Sequence, residues 1–255
     1  MWEKHLASRD IGLLQGPGPY DPSRPTLLMI HGSGGSAANY RPQLFRLGPE
    51  INPAAIDLPG CGQTPGPAPV RVEDYAQWLG DFLAAGPVRP VLMGHSLGGA
   101  IALQLALERP SLVRGLILMG TGSRLRVLPA ILDGIRDNFA AIVPMIVRYA
   151  YSPQADEATL AQGAKEMSAV DPEVLWSNFT ACDRFDVSDQ LGRISLPTLV
   201  LVGDGDQLTP VKYSRFLAER IPGAEMKVIE GGGHMVNLEQ PRAVNQAIID
   251  FMASR

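Results

Sequence analysis

The stretch VLMGHSLGGAIAL, residues 91–103, decides the fold. An apolar run, VLM, meets a short Gly-bracketed segment containing His95 and Ser96. A second apolar run, LGGAIAL, follows directly. A hydroxyl beside a core is costly unless something bonds to it. Gly94-His95-Ser96-Leu97-Gly98 fits G-x-S-x-G, the pattern of a sharp strand-to-helix turn that lifts a serine Oγ above a sheet. Bulky neighbours would clash in such a turn, and the serine itself takes a strained backbone conformation.

Outward from this turn the chain alternates short β-like runs with longer helical ones. The runs LLMIH (27–31), NPAAID (52–57), PVLMGH (90–95), GLILMG (115–120), PTLVLVG (197–203) and AEMKVIE (224–230) read as strands. Helical spacing covers 71–85, where Val72, Tyr75, Trp78, Leu79 and Phe82 share a face. It also covers the segment after Ser96, closed by Arg109 and Pro110, and residues 210–221 and 239–253. The expected class is α/β, a mostly parallel doubly wound sheet flanked by helices. The rhythm breaks over 121–190, which has helical periodicity and no strand pattern, with Pro144 expected to interrupt it. The expected organisation is a core of 1–120 and 191–255 with a helical cap at 121–190. Insertions at the carboxyl ends of parallel strands are where ligands bind. The cap's apolar residues Leu132, Ile135, Phe139, Ile142, Val143, Met145 and Trp176 are therefore candidates for a substrate pocket. The competing role is internal packing of the cap. Arg124 and Arg126 are the cations placed to meet an anionic group.

Bulk properties narrow the partners. The chain has 255 residues, 45% hydrophobic and 19% charged, with a net charge of −4. Nothing there favours nucleic acid or an anionic membrane surface. The start, MWEKHLASRD, lacks the apolar region of a secretory signal. Two cysteines, Cys61 and Cys182, are too few for a disulfide framework. They read as free thiols of a cytoplasmic protein, and neither has neighbours at metal-ligand spacing, so no metal is expected. A monomer or homodimer is expected.

A serine hydroxyl needs a base to act as a nucleophile. The chain has four histidines. His5 lies in a polar N-terminus, and His31 and His95 sit in glycine loops as structural residues. His95 also neighbours Ser96 at a strand end and points away from it. His234, in EGGGHMVN after the last strand, remains as the base. The base needs a carboxylate to fix its tautomer. GDGDQLTP (203–210) offers Asp206 and, as second choice, Asp204. A turn with an N-capping Asp is the alternative for that motif. An oxyanion would require preorganised donors. The backbone N–H groups of Leu97, just after the serine, and of Ser33, in HGSGGS, are placed for this.

Together HGSGGS, DLPGCGQT, GHSLGG, GDGDQLTP and GGGHMVNLEQP occur in an order that resembles the α/β-hydrolase superfamily, in its capped branch of small esterase-like enzymes. The likeness covers about the whole chain outside 121–190. It implies Ser96 as nucleophile, His234 as general base and then acid, Asp206 as orienting acid, and an oxyanion hole of Ser33 and Leu97 N–H. It implies no cofactor. Two departures are Cys61 where the family usually has His, and Thr64 where it has Ser. The expected activity is hydrolysis of a small, largely apolar carboxylic ester through an acyl-enzyme. Thioester, lactone and carbon–carbon bond cleavage on the same residues are alternatives.

Two readings of other classes compete. Gly32-Ser33-Gly34-Gly35-Ser36-Ala37 fits G-x-G-x-x-A after a strand, with Asp57 where a ribose-binding acid would lie. That dinucleotide reading leaves Ser96, Asp206 and His234 unexplained, and NYRPQLFRLG, broken by Pro42, makes a poor partner helix. A ligand receptor with slow turnover is the second competitor.

Overall fold

The computed structural model describes residues 10–86 and 88–253. His5 and the N-terminal charges lie outside the described residues. Seven strands form one sheet: β1 (Leu13–Gln15), β2 (Thr26–Ile30), β3 (Asn52–Ile56), β4 (Val91–His95), β5 (Gly115–Met119), β6 (Thr198–Gly203) and β7 (Glu225–Ile229). Their order is β1-β3-β2-β4-β5-β6-β7, and every pairing is parallel except β1 with β3. β1 was not expected. LLQ is three residues long, and its pairing to Ile56, Ala55 and Ala54 makes it a strand rather than any local pattern.

The central strands are apolar without alternation because both of their faces are covered. Leu28, Ile30, Leu92, Leu116, Leu118 and Val200 pack on one face. There they meet the helices α2 (Val72–Ala85) and α3 (Leu97–Glu108). Their strand neighbours Leu27, Met29, Met93, Ile117 and Leu201 point to the other face. That layer is closed by α1 (Arg41–Leu47) through Leu44 and Leu47, and by a C-terminal helix (241–252) through Val244, Ile248 and Phe251. The α1 helix differs from expectation. Pro42 does not break it but stands in its first turn, where its missing N–H would have no helical partner.

Between β5 and β6 lie four helices, α4 (Pro129–Asp137), α5 (Phe139–Ala150), α6 (Glu157–Ser168) and α7 (Pro172–Arg184). A bridge between Arg124 and Asp186, with Val187 N–H donating to the Ser123 carbonyl, closes the neck of this insertion. The break in its first helical stretch is at Asn138, φ −153°, and Pro144 lies inside α5. Proline removes the N–H that would bond the Ala140 carbonyl. Both residues are exposed, so water can satisfy that carbonyl. After β6 come α8 (Val211–Arg220), the short α9 (Val236–Glu239) and α10 (Pro241–Met252). No helix of the described residues is long and apolar enough to cross a membrane.

Close approach of backbones sets the turn after β4. A Cβ at Gly98 would fall against the Ile30 carbonyl oxygen, and one at Gly94 against the Gly98 carbonyl oxygen. Neither contact involves a flexible side chain that could move aside. Gly98→Ala should therefore destabilise the fold by about 1–3 kcal/mol, and Tm should fall about 2–4 °C per kcal/mol. Calorimetry of the variant checks this, and a melting temperature equal to wild type contradicts it.

Candidate active site

The site lies at the carboxyl ends of the strands, where β2, β4, β6 and β7 each deliver a loop. Ser96 follows β4 and precedes α3 with φ 53° and ψ −116°. Only Asp10 shares a positive φ among the described non-glycine residues. The neighbours over-determine this conformation. Ser96 N–H donates to the Met119 carbonyl at 3.0 Å, and its own carbonyl accepts from Gly99 and Ala100 N–H and, at 2.8 Å, from the Thr121 hydroxyl.

His234 follows β7 and is buried. Its Nδ1–H donates to Asp206 Oδ2 at 2.9 Å. Among the described residues the ring's hydrogen bonds run through Nδ1, and none is made at Nε2. Asp206 is buried at the end of β6 with every lone pair engaged. Oδ1 accepts from the Leu208 and Thr209 N–H groups, and Oδ2 accepts from the Thr209 hydroxyl at 2.8 Å as well as from His234. Burial opposes its ionisation. The adjacent His234 and the Thr209 donors outweigh burial and hold the carboxyl below its usual range. Asp204 lies elsewhere, exposed, accepting from Gly231 N–H at 2.9 Å. The turn expected of GDGDQLTP and the contact with His234 are thus both made, by the one residue Asp206.

The other two described histidines are tethers. His31 Nδ1–H donates to the Gly32 carbonyl and Nε2 accepts from Leu58 N–H. His95 Nε2–H donates to the His234 carbonyl at 2.9 Å, and the two rings lie 4.6 Å apart. This contact seats the His234 backbone beside the Ser96 turn. Burial pushes the His95 pKa down to about 3, helped by the nearby His234, and burial also lowers that of His31.

Ser96 opens onto a cavity of about 480 Å³ beneath the helical insertion. Ser33, Thr209 and Cys182 also line it, and the walls include Leu125, Val127, Ile131, Ile146, Phe179, Leu208 and Tyr213. Among the described residues neither Ser33 N–H nor Leu97 N–H has a protein acceptor. Of the seven expected wall residues, Met145 lines the cavity. The other six do not. Ile135, Ile142 and Val143 form the insertion's own core with Leu175, with Phe139 and Trp176 packed against it. The Arg136 guanidinium stacks 3.5 Å from the Trp176 ring, and Leu132 lies half-buried on α4 outside the cavity wall. The most apolar stripe of α5 faces its partner helices, and the stripe with Met145, Ile146 and Tyr149 faces the cavity. Arg126 is the one charged residue of the lining, and Arg124 lies 3.9 Å from Asp186.

Sequence reasoning missed Thr121, Thr209, Glu239 and Asn178. Glu239 accepts from Gly233 and Ser152 N–H, fixing the His234 loop to the end of α5. Only the D-x-x-T spacing of Asp206 and Thr209 carried a local signal, that of a side-chain-capped turn. The proposed ribose-binding acid is occupied: Asp57 accepts from Ala37 N–H at 2.7 Å and Gln63 N–H at 2.9 Å. Its carboxylate is also buried, so a sugar hydroxyl cannot reach it without moving the surrounding loops. Among the described residues no three His, Cys, Asp or Glu side chains converge as metal ligands. Cys61 and Cys182 are free thiols, each raised to about 12, chiefly by burial.

A parallel sheet with a strained serine turn after one central strand, and an Asp–His pair from two later ones, is the frame of a hydrolase. The chain belongs to the alpha/beta hydrolase family, whose model matches residues 27–247. It is similar to the putative carbamate hydrolase RutD of Stutzerimonas stutzeri (strain A1501), 30% identical over 93% of this chain and 95% of that protein. It is also similar to the pimeloyl-[acyl-carrier protein] methyl ester esterase of Vibrio campbellii, 28% identical over 90% and 95%. The solved structure of a thermophilic esterase superposes with a TM-score of 0.85 at 36% identity, covering 96% of this chain and 93% of that one.

The buried neutral histidines make stability pH-dependent. Unfolded, each takes up a proton near pH 6.5, whereas the folded state binds one only at lower pH, about 3 for His95. Their contribution is complete above pH 6.5 and is lost as pH falls, by up to ~1.4 kcal/mol per pH unit for each. Thermal unfolding between pH 8 and pH 4.5 should show Tm falling below pH 6.5, and His95→Gln should flatten that slope. An unchanged slope in the variant contradicts the assignment.

Proposed function

We propose that this protein is a serine hydrolase that cleaves a largely apolar carboxylic ester through an acyl-enzyme. The observation that carries the reading is the buried Asp206–His234 bond, made through Nδ1 by a histidine whose backbone His95 ties beside the strained Ser96 turn. With Nδ1–H committed to Asp206, Nε2 holds the lone pair a general base needs. His234 takes the Ser96 Oγ proton as Oγ attacks the ester carbonyl carbon. The carbonyl oxygen becomes an oxyanion and turns to the Ser33 and Leu97 N–H groups. His234 then gives the proton to the departing alkoxide, leaving the acyl group on Ser96. Water repeats the cycle from the other side and releases the acid.

The cavity supports an apolar acyl group. Its volume, 480 Å³, equals about sixteen water volumes at ~30 Å³ each. Its walls are mostly aliphatic and aromatic, with Ser33, Ser96, Arg126, Gln207 and Thr209 among a smaller number of polar groups, the usual composition of a small-molecule site. The insertion that supplies much of the wall acts as a cap. The relatives named for carbamate and methyl ester hydrolysis support acyl chemistry and differ in the acyl group.

A fluorophosphonate probe should label Ser96, located by mass spectrometry. Ser96→Ala should lower kcat by roughly 10⁵–10⁶-fold with Tm unchanged. Label on another residue, or a tenth of wild-type activity left in the variant, overturns the assignment. Asp206→Asn should cost on the order of 10⁴-fold, against less than about tenfold for Asp204→Asn. In a panel of esters, thioesters and lactones, esters with unbranched or aromatic apolar acyl groups should give the highest kcat/KM. A wild type with no turnover on any of them would instead mark a binding protein.

A further inference from the structure

Two of the hydrogen bonds that join the insertion to the sheet domain have no part in the proposed cycle. Both belong to Asn178, a fully buried residue of α7. Its Oδ1 accepts from Gly34 N–H at 3.1 Å, and its Nδ2 donates to the Tyr75 hydroxyl on α2 at 2.8 Å. A backbone N–H can only donate, so the bond to Gly34 fixes which way the amide faces. Tyr75 then holds the amide from behind.

Gly34 immediately follows Ser33 in the loop after β2. It takes φ 68°, and Gly35 N–H returns to the Gly32 carbonyl at 3.1 Å. A turn of three glycines around one serine has few side chains of its own to hold it. Glycine also has the widest backbone freedom of any residue. Asn178 bonds the Gly34 N–H, which belongs to the Ser33–Gly34 peptide, and the Ser33 N–H belongs to the peptide before it. The two planes meet at the Ser33 Cα, so without an outside restraint on the second the turn could shift about Ser33 and carry its N–H off line. Asn178 supplies that restraint on the adjacent N–H. The Ser33 side chain adds only a long contact to Cys182, 3.6 Å, on the same helix.

We infer that Asn178 is a positioning residue for the oxyanion hole: it fixes the Gly34 peptide and thereby aims Ser33 N–H at the developing negative charge. This rests on the reading of Ser33 as an oxyanion donor. It gives α7 a part in the chemical step as well as in the cavity wall. The hole is complete only when that helix is seated on the glycine turn.

Electrostatic stabilisation by a donor depends on its being aimed before charge develops. Losing one such donor outright costs about 10²–10³ in kcat. Loosening it should cost less. Asn178→Ala is therefore expected to lower kcat about 10- to 100-fold, with KM within about threefold of wild type. Asn178→Asp keeps an acceptor for Gly34 N–H and for the Tyr75 hydroxyl, and should recover most of the lost kcat.

The experiment compares these variants and Tyr75→Phe with wild type, on the best ester of the panel. It adds two inhibitors carrying the same acyl chain, a trifluoromethyl ketone and its methyl ketone. The trifluoromethyl ketone forms an oxyanion on Ser96, and the methyl ketone reports ground-state binding. The expected result is weakened binding of the trifluoromethyl ketone in step with kcat/KM, with methyl ketone binding unchanged. Wild-type kcat in Asn178→Ala, equal weakening of both ketones, or an Asp variant as impaired as Ala overturns the inference. Should Asn178→Ala fail to fold, Tyr75→Phe decides, because it releases the amide and leaves the rest of the turn intact. It should lower kcat several-fold, and an unchanged kcat overturns the inference. A wild type that labels at Ser96 while the variants behave normally removes this inference alone. A wild type with neither label nor turnover removes the functional reading and this inference with it.

Discussion

A serine held at φ 53° is the constraint on which the rest of this structure depends. A non-glycine residue in that region costs of order 1–3 kcal/mol and persists only where its surroundings over-determine it. Here β5 takes the Ser96 N–H, Thr121 takes its carbonyl, and Gly98 lies directly against the backbone of β2. The strain is therefore shared by three neighbouring strands at the centre of the sheet. A serine exposed in this way, at a helix N-terminus, is also one whose hydroxyl is left to whatever enters the cavity.

Around that turn the chain separates the work of its buried histidines by partner. His31 and His95 bond to neutral backbone groups, and burial keeps them uncharged. His234 alone of the described histidines bonds to a carboxylate, whose burial is outweighed by His234 itself and then by the Thr209 donors, so that its pKa stays below the usual range. A neutral ring serves as a tether wherever a backbone carbonyl must be gripped. A ring that must carry a transient positive charge needs an anion beside it. One residue type thus fills two different needs, and the difference lies in what each ring nitrogen touches.

Much of this was legible before any coordinates. Strands and helices of the sheet domain follow from period and punctuation, because a buried parallel strand and a one-sided helix leave strong patterns. Ser96 was singled out by its G-x-S-x-G turn, His234 as the histidine left once the other three were set aside, and Asp206 ahead of Asp204 as a carboxylate at a strand end. What was illegible depends on contacts between distant segments. β1 exists through its pairing to β3, and Pro42 starts a helix where its sequence suggested a break. The cavity walls were assigned to the wrong stripe of α5. Periodicity shows that a helix has an apolar face, and it does not show which neighbour that face meets. Thr121, Asn178 and Glu239 carry no pattern that separates them from ordinary polar residues.

The insertion is joined to the sheet domain at more places than a simple cover requires. At one side Asn178 holds the glycine turn that carries Ser33. At the other, the Ala150 carbonyl accepts from Met235 N–H, and the Glu239 carboxylate bridges the neighbouring Ser152 and Gly233 N–H groups. These bonds are made to the two loops that flank Ser96, and each uses a backbone N–H that would otherwise need water. A helical layer bonded in this way cannot shift without disturbing Ser33 or His234. Under the proposed function, shape selection by the cavity walls and alignment of the reacting groups are then set by the same contacts. Changes of sequence in α5 and α7 that alter the cavity must keep these anchors in place, which confines variation in the walls to positions between them.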